Sequence, residues 1–232
     1  MEALNRTGRG EVLVFFGKEP RAGRVKTRLV PPLTAEEAAD LYRAFLLDIC
    51  GRRRSGDRRL VLALAPPFDR SVLEGELPAR VRLLSQRGPD LAARLADLFE
   101  RQFAPGGGVR RVVVRNTDSP LLPEAIEQEA FAALARGAEI VLGPDLGGGY
   151  YLVGLSRPFP ELFRLPMSVP SNFERTLERA RSLTERVALL PPFQDVDRIE
   201  DLRQLAATLA HDPAARGLAP RTVRALAALP AL

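Results

Sequence analysis

Four short stretches hold residues whose types and spacing could do chemistry. The first is Phe16-Gly17-Lys18-Glu19-Pro20-Arg21-Ala22-Gly23-Arg24-Val25-Lys26-Thr27-Arg28-Leu29. Its glycines let backbone approach a ligand closely. Lysine reaches a phosphate as a compact point charge, and arginine grips one through a planar fork. The spacing is not that of a Walker A loop. From the residues alone this is either a phosphate-binding loop or a solvated basic one. Lys18 and Lys26 are the only two lysines among 34 basic residues, which singles them out.

The second stretch is Asn116-Thr117-Asp118-Ser119-Pro120, directly after the apolar run Val112-Val113-Val114. A carboxylate just past a strand can hold Mg²⁺ or Mn²⁺ against a nucleotide diphosphate. It can equally cap the turn that follows. The third is Gly143-Pro144-Asp145-Leu146-Gly147-Gly148-Gly149-Tyr150-Tyr151, where bare backbone could lie against a sugar or base, or simply form a flexible turn. The fourth is Gln194-Asp195-Val196-Asp197 before a helical pattern. Alternation puts Asp195 and Asp197 on one side of an extended segment. One of them could be a second metal ligand, or Asp197 could be the helix N-cap.

These stretches need elements to position them. Apolar runs rich in branched residues predict strands over 11–17, 60–65, 81–84, 111–115, 139–142, 150–155 and 187–190. Helical spacing predicts helices over 34–50, 90–103, 123–136, 172–184 and 198–210, with a last one over 222–229. Thr34 and Glu37 form a capping box at the first. Strands alternating with helices imply a mostly parallel sheet covered on both faces, in which ligands bind outside the carboxyl ends of the strands. No composition break divides the chain, so one domain over residues 1–232 is expected.

Composition narrows the classes. The chain has one cysteine, Cys50, and one histidine, His211, which excludes a Cys/His zinc site and an internal disulfide and disfavours a Ser-His-Asp triad. No apolar run approaches a bilayer's thickness, and residues 1–10 lack the apolar core of a signal peptide; a cytoplasmic protein without membrane contact is expected. The formal charge of +5 comes with arginines at 52, 53, 54, 58 and 59. With no interleaved aromatics and no nucleic-acid-binding motif, these read as solvated faces.

In order along the chain, FFGKEPRAGRVKTRL, NTDSPLLP, GPDLGGGYYLVGL and DVDRIEDL resemble the bacterial GT-A-like transferases known as rSAM/selenodomain-associated transferases or simply as glycosyltransferases. These are relatives of 2-phospho-L-lactate guanylyltransferase and of the molybdenum-cofactor nucleotidyltransferases. The resemblance runs from about residue 11 to 205. It implies the nucleotide-diphospho-sugar transferase fold, a three-layer α/β/α sandwich with a mixed, mostly parallel sheet of about seven strands. It implies that Lys18, Arg21, Gly23, Lys26, Arg28 and Thr117 bind the nucleotide. Asp118 and Asp197 would hold Mg²⁺ or Mn²⁺, and Gly148, Gly149 and Tyr150 would meet the sugar or acceptor. Asp118, Lys26 and Asp145 would carry the chemistry. The expected partners are a nucleotide sugar or nucleoside triphosphate and a small-molecule acceptor, in a monomer or homodimer.

Three positions depart from that family's pattern. Gly147 stands where Asp is usual, Asn116 where Gly is common, and Met167-Ser168-Val169 where the family tends to carry Trp-Ser-Thr. Asp145, two residues upstream, is the candidate to replace the missing carboxylate. Three readings follow. The favoured one is glycosyl transfer from a nucleotide sugar. The second is nucleotidyl transfer with release of pyrophosphate, and the third a catalytically impaired nucleotide-binding protein.

Overall fold

The computed structural model describes residues 10–73, 75–165 and 172–229; Met167, Ser168 and Val169 lie outside them. Seven strands form one sheet: β1 (Glu11–Gly17), β2 (Arg59–Leu64), β3 (Val81–Ser85), β4 (Arg111–Asn116), β5 (Ile140–Pro144), β6 (Tyr150–Leu155) and β7 (Val187–Leu189). Their spatial order is β3-β2-β1-β4-β6-β5-β7. Strand β6 runs antiparallel to β4 and β5, and the other pairings are parallel. This is the mixed, mostly parallel sheet that the family resemblance implied. The chain winds outward from β1 to β3 and then returns to β4 on β1's other side. The carboxyl ends of β1 and β4 are therefore the point where strand order reverses and a crevice must open.

Alternation along β1 divides the core. Leu13 and Phe15 face one way, Val12 and Val14 the other, all buried. On the first face lie α1 (Ala35–Gly51) and α3 (Glu124–Ala135), through residues such as Leu46, Ile49 and Phe131. On the second lie α2 (Leu91–Gln102) and α4 (Asn172–Leu183), through Leu95, Phe99 and Ala180. A third cluster packs α5 (Ile199–His211), α6 (Pro213–Leu218) and α7 (Pro220–Ala227) against the far side of α1, gripping Leu29 and Leu33 of the long β1–α1 connection. That connection is thereby fixed at its C-terminal half, although its sequence reads as loop.

Helix α1 starts where the capping box predicts. The Thr34 hydroxyl accepts from the Glu37 amide at 3.1 Å, and Glu37 accepts from the Thr34 amide at 2.8 Å. Helix α6, with Asp212 capping it, adds an element to those expected, and the last helix starts at Pro220 rather than 222. The arginines at 52, 54 and 58 are also not a solvated face. Arg52 donates to the carbonyls of Leu122 and Leu218, Arg54 grips Glu127 with two bonds, and Arg58 pairs with Glu11. The acids and carbonyls that claim them come from distant segments, so local composition could not show it.

Arg115 has a similar role beneath the crevice. It points into the α3 side of the sheet, wholly buried, and pairs with Glu127 at 3.1 Å. It also donates to the carbonyls of Asn116 and Ser119. A buried charge is tolerated only when paired and fully hydrogen-bonded. Here the pairing anchors the turn that leaves β4.

Candidate active site

A cleft of about 590 Å³ opens at the carboxyl ends of β1 and β4. One part of its wall is charged, with Lys18, Lys26, Arg28, Asp118 and Asp197. Another is apolar, with Phe16, Leu91, Leu95, Val114, Tyr150 and Val153. Gln86 and Arg94 also line it.

Lys26 is the centre of the charged part. Its backbone sits in the left-handed region, φ 48° and ψ 34°, just before a 3₁₀ turn at Thr27–Leu29. Among the described residues it is the one non-glycine there, a conformation that costs about 1 kcal/mol or more and persists only where its surroundings hold it. The side chain is 3% exposed and lies between the rings of Tyr42 and Phe45, each 5.8 Å from the ammonium. The ammonium pairs with Asp118, reaches Asp197 at 3.4 Å and donates to the Val196 carbonyl at 2.6 Å. Burial alone would pull its pKa down. Asp118 and Asp197, with Asp195 behind them, outweigh that and hold it above the ordinary value. Three acceptors match three N–H donors. Arg28 meets the other oxygen of Asp197 at 3.4 Å on the exposed rim, where a pair contributes little.

Asp118 is presented by the turn after β4. Thr117 faces inward: it is fully buried, and its hydroxyl is 2.6 Å from that of Tyr42. The Tyr42 hydroxyl also accepts from the Lys18 amide at 3.1 Å, so one buried phenol joins the ends of β1 and β4. Gly17 makes this closeness possible, since a Cβ there would lie 2.6 Å from the Thr117 hydroxyl and 2.7 Å from that of Tyr42. This corrects the reading of Thr117 as a nucleotide contact, because its side chain holds the loop and does not line the cleft.

Asp197 reaches the cleft from the β7–α5 connection. Its reading as the helix N-cap does not hold. Asp201 caps instead, accepting from the amides of Asp197 and Arg198 at 3.0 and 2.8 Å. The Asp197 carboxylate is thus left to face Lys26 and Arg28. Asp195 turns elsewhere, because the segment is irregular and strand alternation does not govern it. Its carboxylate accepts from Asn116 Nδ2 at 2.6 Å and from the Ser119 hydroxyl. Burial first, then the charges of Asp145 and Asp118, push its pKa up to about 7.

Asp145 lies outside the cleft wall. Its carboxylate accepts from the amides of Gly147 at 2.9 Å and Asp195 at 3.1 Å, and burial raises its pKa. A Cβ on residue 147 would lie 2.7 Å from Asp145 Oδ2, so Asp145 fills the space beside Gly147. Gly148 and Gly149 close that loop with backbone bonds to Asp145 and do not line the cleft, whereas Tyr150 does. Arg21 pairs with Glu19 at 3.0 Å and Gly23 sits in open space at φ +73°; both stand away from the cleft wall.

Of the expected site residues, the tertiary structure brings together Lys18, Lys26, Arg28, Asp118, Asp197 and Tyr150. It adds Gln86 and Arg94, which the sequence reading missed. The signal for them was positional: Gln86 lies just past β3 and Arg94 in the first turn of α2, at the carboxyl end of the strands with the others. Among the described residues no three His, Cys, Asp or Glu side chains gather as a closed metal cage. Two half-exposed carboxylates nonetheless fit Mg²⁺ or Mn²⁺, which bind through one or two carboxylates and take the remaining ligands from phosphate and water.

Residues 47–168 match the family described as "Uncharacterized protein conserved in bacteria (DUF2064)". Over 190 residues the chain is 30% identical to 2-phospho-L-lactate guanylyltransferase of Methanothermobacter thermautotrophicus, with 80% of each chain covered. Among solved structures it superposes on a candidate nucleotide-diphospho-sugar transferase of Desulfovibrio desulfuricans G20 with a TM-score of 0.82 and 28% identity, covering 94% of each chain. A 4-diphosphocytidyl-2C-methyl-D-erythritol synthase of Anaerococcus prevotii matches at TM-score 0.56 and 11% identity, over 87% of this chain and 97% of that one. That last likeness is one of fold. The fold is therefore that of the nucleotide-diphospho-sugar and nucleotidyl transferases, as the sequence motifs implied.

Proposed function

The chain belongs to the DUF2064 family, and from that premise and the cleft's geometry we propose that it is a nucleotidyltransferase, joining the nucleotidyl group of a nucleoside triphosphate to a small anionic acceptor. The observation that carries this reading is the meeting of Lys26, Asp118 and Asp197 where strand order reverses. The kinship with a guanylyltransferase turns the choice toward nucleotidyl rather than glycosyl transfer.

The residues divide the work by chemistry. Lys18 and Arg28, exposed at the mouth, meet the polyphosphate. Asp118 and Asp197 would hold Mg²⁺ or Mn²⁺, whose charge offsets that of the departing pyrophosphate. Lys26 keeps the two carboxylates together; it can reach a phosphate only by leaving one of its three acceptors. An acceptor oxygen attacks the α-phosphorus, its bond forms as the α–β bridging P–O bond breaks, and pyrophosphate carries away the electron pair. A phosphate or carboxylate acceptor arrives already deprotonated, so the step needs no general base. That suits a cleft without histidine: His211 bonds the Ala207 carbonyl at the end of α5.

The test is the product. A panel of nucleoside triphosphates and nucleotide sugars, with and without Mn²⁺, is first screened for thermal stabilisation. The stabilising nucleotide is then incubated with phosphorylated and unphosphorylated 2-hydroxy acids. Pyrophosphate release supports nucleotidyl transfer. Nucleoside diphosphate release from a sugar donor overturns it in favour of glycosyl transfer, the reading that the Desulfovibrio structure favours. Stabilisation without turnover on any acceptor leaves the impaired nucleotide-binding protein that Gly147 suggests.

A further inference from the structure

We infer that Asp195 is a positioning residue, a carboxylate outside the cleft that holds Asp118 and Asp197 in register. The role rests on the functional reading above, but its structural part does not. Asp118 and Asp197 come from two loops with no chain continuity between them, one after β4 and one before α5. Asp195 joins those loops. One of its oxygens accepts from Asn116 and the other from Ser119, the two residues that bracket the Thr117–Asp118 pair. Its own amide donates to Asp145 at 3.1 Å, which brings in the β5–β6 loop. The next residue completes the seam, the Val196 amide donating to the Asp118 carbonyl at 3.1 Å. Asn116 closes the circle from below, since its own carbonyl oxygen accepts from the Ser119 hydroxyl at 3.1 Å. The side chain two positions from Asp195 is the Asp197 carboxylate that faces Lys26. A shift of Asp195 therefore moves both cleft carboxylates at once.

The alternative role for Asp195 is direct ligation of a metal, and hydrogen-bond chemistry separates the two. A carboxylate offers acceptors only. An amide at 195 still accepts from Asn116 through its oxygen, while its N–H₂ can donate to the Ser119 hydroxyl, which turns to accept. Asp195→Asn thus keeps the tie and loses the charge; Asp195→Ala loses both. Ligation depends on the charge, positioning on the tie.

The experiment uses the full chain and two readouts. In ligand-free protein, hydrogen exchange at the amides of Asp118, Leu122 and Val196 should rise about tenfold or more in Asp195→Ala and stay within about threefold of the parent in Asp195→Asn. Ser119→Ala, which removes the hydroxyl that meets both Asp195 and Asn116 but leaves the Asn116–Asp195 bond, should raise exchange at the same amides by a smaller factor. Affinity for guanosine triphosphate is then compared in Mn²⁺ and in EDTA. Asp195→Ala should lose most of the gain due to Mn²⁺ with its EDTA affinity intact, and Asp195→Asn should restore most of that gain. Unchanged exchange in both Asp195→Ala and Ser119→Ala overturns the inference, as does an Asp195→Asn variant as deficient in Mn²⁺ as Asp195→Ala. If no nucleoside triphosphate binds the parent protein while exchange responds as stated, the functional reading falls and the tie stands.

Discussion

Lys26 and Asp118 form an ion pair in which the lysine is almost wholly buried, 3% exposed, while the aspartate is open to the cleft at 34%. The asymmetry assigns their parts. The ammonium has lost its water and depends on protein acceptors, whereas the carboxylate keeps a face toward any ligand that enters. Asp197, 49% exposed, completes the arrangement at 3.4 Å. Two like charges are thus held in one place by a cation built into the chain.

Replacing that cation makes the first prediction. Lys26→Met keeps the packing against Tyr42 and Phe45 but leaves Asp118 without its cation and Asp197 with only Arg28 on the exposed rim. Stability should fall by roughly 1–3 kcal/mol. Millimolar Mg²⁺ should recover part of this loss, raising the variant's melting temperature more than the parent's. Equal Mg²⁺ responses in the two proteins would show that the carboxylates do not share a cation.

Asp118→Asn retains an acceptor for Lys26 and removes the charge that faces the cleft. The melting temperature should move by only a few degrees. Affinity for a nucleoside triphosphate in Mg²⁺, measured by calorimetry, should drop at least about tenfold, or roughly 1.4 kcal/mol. In EDTA the two proteins should bind alike. Unchanged affinity in Mg²⁺ would refute the role given to Asp118.

Gly147 and Asp145 are coupled by space. Gly147→Asp places a Cβ 2.7 Å from Asp145 Oδ2 and must push that carboxylate off the amides of Gly147 and Asp195. Loss of those bonds should destabilise the protein by roughly 1–3 kcal/mol. Asp145→Gly alone already removes the same bonds, so the double variant Asp145→Gly/Gly147→Asp, in which the space is free, should be little less stable than either single variant, a non-additivity that a double-mutant cycle by urea denaturation reads directly. Additive effects would mean that the two positions do not compete.

Glu139 supplies a pH-dependent prediction away from the cleft. The Thr184 hydroxyl first, then Arg157 and Arg186, lower its pKa to about 2, tying the start of β5 to the end of α4. A carboxyl whose folded pKa lies below its unfolded value, near 4.3, stabilises above the unfolded value and loses that contribution as pH falls through the folded one. Glu139→Gln should therefore unfold at lower urea than the parent at pH 6–7. The gap should close as pH drops from about 4.5 toward 2. A gap independent of pH over that range would exclude this carboxylate as its source.

Much of this was legible in the residues. The Val- and Phe-rich run at 11–17 could only be a buried strand, and Thr34 with Glu37 marked the start of α1 within a residue. A basic, glycine-bearing loop after one strand and an aspartate after another marked Lys26 and Asp118 as a pair worth examining. What misled was direction. Thr117 sits beside Asp118 in the chain, yet its hydroxyl turns inward to Tyr42. Asp195 and Asp197 share a spacing, yet one ties loops together and the other faces the cleft.

The reason is physical. Strands and helices follow from hydrophobic periodicity and local capping, which depend on neighbours in sequence, and so the chain's order of residues determined the sheet, its layers and the edge where a cleft must open. The direction of a polar side chain in an irregular loop depends on which partner is within about 3 Å. Asp195 finds Asn116 and Ser119, Lys26 finds Val196, and Asp145 fills the gap beside Gly147 only once distant segments have packed. Those meetings were decided by the tertiary structure alone.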